Sequence, residues 1–189
     1  MRKLNFALLL LIISINFSCK RNDVKEAFQC TSEYSFFNSN KTYQDVLKHF
    51  KIDIPQEWKT ELYYDEFQSE IYSADTTKQL TESFIIDITW HQGELNFNRN
   101  FKRKVKKNLV EENLKTIRSG KGKFNDLPVY YNIAKGKYLS YEYHLLQLYV
   151  KSNVDEYYTF TSKVYGSESI DERICASVNL FEDIEFLDD

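Results

Sequence analysis

Apolar and polar residues along this 189-residue chain change period several times, and each change marks an element. Phe84, Ile86, Ile88 and Trp90 alternate with Asp87, Thr89 and His91, which predicts a half-buried strand. Before it, Trp58, Leu62 and Tyr64 line one extended stretch, while Phe67 and Ile71 line the next, from 66 to 74. Together they predict a hairpin turning near Asp65. Upstream, Tyr43, Val46, Leu47 and Phe50 recur at helical spacing behind an Asn40 or Thr42 cap and predict a short helix. Ile52 and Ile54 then alternate with charges up to Pro55. From about 98 to 116 the period is helical again. Phe97, Phe101, Val105, Leu109, Val110, Leu114 and Ile117 form one apolar stripe, ended by Gly120 and Gly122. Leu127, Val129, Tyr131 and Ile133 alternate next, and Lys135-Gly136-Lys137 turns the chain. Stretches 138–151 and 154–165 predict two more strands. The first carries Leu145-Leu146, apolar on both sides as in a central strand. Ser169 and Glu172 form a capping-box pattern before a last helix that buries Ile170, Ile174, Val178 and Phe181. Residues 182–189 are acidic and predict a frayed or solvated end.

A hairpin and strand, a long helix, a three-strand meander and a closing helix predict an α+β domain: an antiparallel sheet with helices packed on it. The stretch Phe50-Lys51-Ile52-Asp53-Ile54-Pro55 with Trp58, the mid-chain helix, the Leu127-Pro128-Val129 hairpin and the C-terminal helix resemble the Mog1/PsbP fold. Among its bacterial versions they resemble small lipoproteins of the DcrB type. The resemblance covers about residues 48–187. It implies a three-layer α/β/α sandwich serving as a binding or accessory module, with no shared catalytic site and no functional residue to carry over. One domain over 42–189 is expected.

The N-terminus has its own pattern. Met1-Arg2-Lys3 is basic, Phe6 to Ile13 is an unbroken apolar run, and Phe17-Ser18-Cys19 ends it. A basic head, a short apolar middle and a small-residue cleavage point describe a secretory signal peptide over residues 1–18. With Cys19 at that position it resembles a bacterial lipoprotein signal of the Bacteroidota type, with Asn16 where the common pattern has Leu. The resemblance implies cleavage after Ser18 and a lipid thioether on Cys19. The expected location is the cell envelope, anchored in the outer membrane with its leaflet left open. A permanent span needs roughly 20 apolar residues, and Ser14 and Asn16 interrupt this run earlier. Residues 19–41 then read as the lipidated cysteine and a flexible tether.

Composition adds limits. Removing 1–18 takes Arg2 and Lys3 from 25 basic residues, leaving 23 against 28 acidic ones, a net charge of −5. That excludes a general nucleic-acid binder, which would be basic over its domain. Aromatics make up 16% of the chain, which favours sheet-rich packing. If Cys19 is lipidated, Cys30 and Cys175 are the remaining pair in an oxidising compartment, a candidate disulfide or two separate thiols. Two lone cysteines lack the ligand count of a zinc site, and no cofactor or metal is expected.

Three clusters carry candidate chemistry. Arg99, Lys102, Arg103, Lys104, Lys106 and Lys107 crowd the first half of the long helix, where positive charge opposes the helix dipole. They are a candidate site for an anionic partner such as a glycolipid phosphate, or else a solvated face. Asp87, Thr89 and His91 share one strand face and could place a carboxylate beside an imidazole for metal or acid/base work, against an ordinary structural hydrogen bond for Asp87. Tyrosines crowd the meander, and Tyr130 and Tyr141 are candidates for an exposed carbohydrate or peptide surface, against ordinary cross-strand pairing. The leading expectation is a lipid-anchored envelope accessory or binding protein without catalytic activity, with a membrane, an envelope protein or an anionic glycolipid as partner. An envelope hydrolase using Asp87 and His91, or an electrostatic binder using the basic helix, are the alternatives.

Overall fold

In this computed structural model the described residues are 24–30 and 39–187. The chain opens with α1 (Val24–Phe28), β1 (Asn40–Gln44) and β2 (Phe50–Pro55), followed by β3 (Lys59–Tyr64), β4 (Gln68–Ala74) and β5 (Phe84–Gln92). Helix α2 (Arg99–Glu111) leads into β6 (Lys115–Phe124), β7 (Leu127–Tyr138), β8 (Tyr141–Lys151) and β9 (Glu156–Tyr165). Helix α3 (Ile170–Glu182) and the short β10 (Glu185–Phe186) close it. Seven strands form one antiparallel sheet in the order β3-β4-β5-β9-β8-β7-β6, and β1-β2-β10 form a second, small one. The long connection through α2 carries the chain from β5 to the far edge, so β9 returns to pair with β5.

Alternation divides the large sheet into two faces. Ile86, Ile88, Leu148 and Phe160 point to one, where α3 and the small sheet close over them with Ile174, Val178, Phe181, Ile52 and Ile54. Side chains of this size each contribute about 1.5–3 kcal/mol when fully buried, so this is the main core. On the other face α2 lays Val105 and Leu109 on Tyr130, Ala134 and Leu145 of β7 and β8. The result is the expected three-layer sandwich, with the small sheet sharing a layer with α3.

Several local expectations differ from the structure. The helix expected over 43–50 is the β1–β2 hairpin. Tyr43, Val46, Leu47 and Phe50 have helical spacing, but Asp45 folds the chain back instead. Its buried carboxylate accepts from the Phe50 amide at 2.8 Å and the Leu47 amide at 3.1 Å. The long helix stops at Glu111, because Asn113 takes a left-handed φ of 58° and Leu114 bonds back to the Leu109 carbonyl at 2.7 Å. Strand β6 comes next, so Ile117 is an exposed edge residue and the two glycines lie within the strand. Gly120 sits beneath the ring of its cross-strand partner Tyr131. Gly136 does not turn the chain; β7 runs on to Tyr138, and glycine is needed there because a Cβ would stand 2.6 Å from the Asn113 carbonyl oxygen. Ser169 is left-handed and makes no side-chain cap, so there is no capping box.

Within the stretch 19–41 expected as lipidated cysteine and tether, residues 24–30 are folded. Val24 and Phe28 are buried, Phe28 meets Tyr131 edge-on at 5.3 Å, and Lys25 pairs with Glu182 of α3. Cys30 and Cys175 are bonded, with Cα atoms 5.3 Å apart across 145 positions. Helix α1 is therefore part of the folded domain. Cys19 and the signal-like stretch lie outside the described residues.

Candidate functional site

Helix α2 lies over β7 and β8 and leaves the face of β5 and β9 open beside it, so a groove runs along its flank. Two adjoining cavities of about 580 and 710 Å³ share Gln147 and Thr161 as lining. Asn100, Lys104 and Asn108 line the first and Glu112 the second, because residues four apart stack along one side of a helix. The floor comes from alternate positions of β5, β8 and β9. His91 Nε2 shares a proton with the Thr159 hydroxyl at 2.9 Å, and its ring stacks on Tyr157 with centroids 4.6 Å apart. Phe101 meets Tyr149 edge-on at 5.1 Å and fixes the inner wall. The side-chain Oε1 of Gln147 is buried here without a hydrogen-bond partner among the described residues.

Burial governs the electrostatics. It lowers the His91 pKa to about 4, outweighing the attraction of Asp65, so the imidazole is neutral at physiological pH. Burial likewise raises the Asp87 carboxyl, although the Thr89 hydroxyl bond at 3.0 Å and Lys163 pull the other way. Glu70, on the adjacent strand, is raised by burial and then by the Asp87 charge. Asp87 and His91 share a face but are four positions apart on one strand, about 13 Å at 3.3 Å per residue. Each is bonded to a different threonine. The two groups considered for hydrolysis are not brought together.

The basic residues of α2 are spread around the helix. Val105 and Leu109 define its buried side, and at 100° per residue Arg103 and Lys107 fall on the outer crown and Arg99 on a flank. Lys102 reaches over the Tyr130 ring at 5.8 Å, Arg103 donates to Asn100, and Lys107 pairs with Glu111 at 3.6 Å. Lys106 is exposed, and Lys104 faces the groove. Tyr130 is only 6% exposed and packs beneath α2 against Phe101, so it is no surface platform; Tyr141 is exposed at a turn. The tyrosines that line the groove are Tyr149 and Tyr157. Sequence reasoning did not single them out, nor Gln147 and Asn108. A usable signal was the alternation of Gln147 and Tyr149 with Leu146 and Leu148 in a strand read as central. Among the described residues no group of three or more His, Cys, Asp or Glu is placed to hold a metal ion. None of their helices is long and apolar enough to cross a membrane.

No family model and no curated relative matches the chain. Solved structures match its fold. Cyanobacterial PsbP (CyanoP) from Synechocystis sp. PCC 6803 is similar with a TM-score of 0.59 and 9% identity, over 83% of this chain and 98% of that one. A point mutant of the protein Mog1 is similar with a TM-score of 0.50 and 8% identity, over 79% and 97%. A protein from Bacteroides thetaiotaomicron VPI-5482 is similar with a TM-score of 0.51 and 11% identity, over 79% of this chain. This chain spans about half, 49%, of that protein's length. The chain therefore has a mixed α+β fold of the Mog1/PsbP type. At these identities the likeness concerns the fold alone.

Proposed function

We propose that this chain is a lipid-anchored, non-catalytic binding protein of the cell envelope that receives its ligand in the groove beside α2. The observation that carries the binding reading is the groove itself: a long, open channel whose polar groups are spread along its length instead of converging on one point. A hydrolytic site needs its acid and base within hydrogen-bond reach of one reacting atom, and Asp87 and His91 are not so placed.

The anchor reading rests on the signal-like N-terminus and on where the folded domain starts. Only residues 20–23 separate Cys19 from the buried Val24. Five extended steps reach at most about 17 Å, so an acylated Cys19 would hold the domain close against the lipid surface. The cation pair Lys20-Arg21 falls within that span, which suits an anionic leaflet. Intact-mass analysis of native protein from the membrane fraction tests the anchor. Chains beginning at an acylated Cys19 are expected, and Cys19→Ala should release the protein; soluble chains with unmodified Cys19 would overturn it. The groove is tested by a photo-crosslinker at Asn108, which should capture an envelope component.

A further inference from the structure

The geometry points to a neutral oligosaccharide as the groove's ligand, bound across both cavities, an inference that rests on the groove being the binding surface. Charge is the first argument. Glu94 and Lys104 line one cavity, and two acids and two lysines, Asp87 and Glu112 with Lys137 and Lys163, line the other. With His91 neutral, neither cavity selects a sign, so a phosphate, sulfate or polyamine gains nothing from the average field. A ligand with no net charge fits.

The second argument is hydrogen-bond chemistry. Gln147 stands where the two cavities meet, its side-chain Oε1 buried and unpartnered among the described residues, and Asn108 and Asn113 line the helix side. A side-chain amide offers donor and acceptor together, which complements a hydroxyl that is also both. A ligand hydroxyl donating to the Gln147 side-chain oxygen would give that buried acceptor a partner. Thr159 and Thr161 add hydroxyls along the floor.

The third argument is shape. Tyr157, stacked with the His91 ring, and Tyr149, in contact edge to face with Phe101, add aromatic lining beside these polar groups. A sugar ring has the matching pair of features, an apolar C–H face and a polar rim. Cavities of about 580 and 710 Å³ each reach the size that encloses a drug-sized molecule, so a chain of sugars is needed to fill them. A peptide is the less suitable occupant. Peptides that bind sheets add to a free edge, and β9, the floor, is paired on both sides by β5 and β8.

The test uses the full mature protein in detergent, titrated by calorimetry with neutral hexasaccharides (malto-, cello-, manno- and chito-series), a sulfated hexasaccharide and a random dodecapeptide pool. At least one neutral series should bind saturably, with affinity changing less than about twofold in high salt. Tyr157→Ala and Gln147→Leu should each weaken it roughly tenfold, as loss of a central contact does. Tyr63→Ala, on the exposed β3 edge, should leave it unchanged. Circular dichroism checks that each variant is folded; if either groove variant unfolds, Asn108→Ala replaces it. No neutral binding at millimolar concentration, preference for the sulfated sugar or the peptides, or affinity indifferent to the groove variants would overturn the inference. If overturned while the Asn108 crosslinker still captures an envelope component, the ligand class fails and the groove reading stands. Failure of both removes the groove.

Discussion

Cutting the Cys30–Cys175 bridge should affect stability and reach together. The loop it closes spans 145 positions, and chain entropy assigns about 5 kcal/mol to a loop of that size. For a domain of 150–250 residues each kcal/mol moves Tm by about 2–4 °C, so Cys30→Ala with Cys175→Ala should lower Tm by about 10–20 °C. The bridge also has a local task. A five-residue helix has no stability of its own, and α1 is otherwise held by Val24, by Phe28 on Tyr131 and by the Lys25–Glu182 pair. Without the bridge α1 should undock well below the global transition. With Cys19 as the proposed anchor, the link would then run to Asn40, raising the maximum reach from about 17 to about 70 Å. Calorimetry gives the Tm, and hydrogen exchange at 24–30 gives the local opening. A Tm within about 3 °C of the parent, with α1 still protected, would show that the bridge performs neither task.

Other expectations concern single residues. The first turn of α2 contains no acid and begins with Arg99, so Arg99→Glu should stabilise the domain by about 0.3–1 kcal/mol in denaturant titration, with the gain shrinking in salt. Arg173 is buried and donates to the carbonyls of Ser83, Tyr165 and Glu168, tying α3 to the sheet. Arg173→Met should cost about 3 kcal/mol or more by urea unfolding, because those acceptors lose their donors. Gly136→Ala should cost about 1–3 kcal/mol, since the new methyl would push on the Asn113 carbonyl; Asn113→Gly in the same chain should not relieve it. His91 should titrate near pH 4 by NMR. Its folded pKa lies below the unfolded 6.5, so the unfolded state takes up the proton first. Its contribution to stability is therefore full above about pH 6.5, falls as pH drops towards 4 and levels off below. The raised Asp87 and Glu70 act in the opposite sense, and a His91 midpoint near 6.5 would contradict the burial argument.

The large sheet, apart from its edge strand β6, was legible because its strands are long and alternate cleanly, as Phe84 to Trp90 do. Helices α2 and α3 were legible because their stripes hold for three turns. The misreadings share a cause: a short apolar set fits both periods, and a polar side chain decides. Asp45 turned a helical spacing into a hairpin. Asn113 ended α2 and let β6 begin where the apolar stripe still ran on in the sequence. Helix α1 was invisible because one apolar pair, Val24 and Phe28, is too little pattern, and its place comes from the distant Cys175. The groove was least legible. Its lining is drawn from β5, the loop after it, α2, β8 and β9, and only the crossover that returns β9 beside β5 places Tyr157 next to His91.

The groove is tested most directly in cells, with a photo-crosslinking residue at Asn108 and, as control outside the groove lining, at the exposed Tyr63 on the edge strand β3. Binding beside α2 predicts ultraviolet-dependent adducts to an envelope component from position 108 and not from position 63, lost when Tyr157→Ala is added. Equal labelling from both positions, or none from 108 in a folded, membrane-associated chain, would mean that the groove is not where this protein binds.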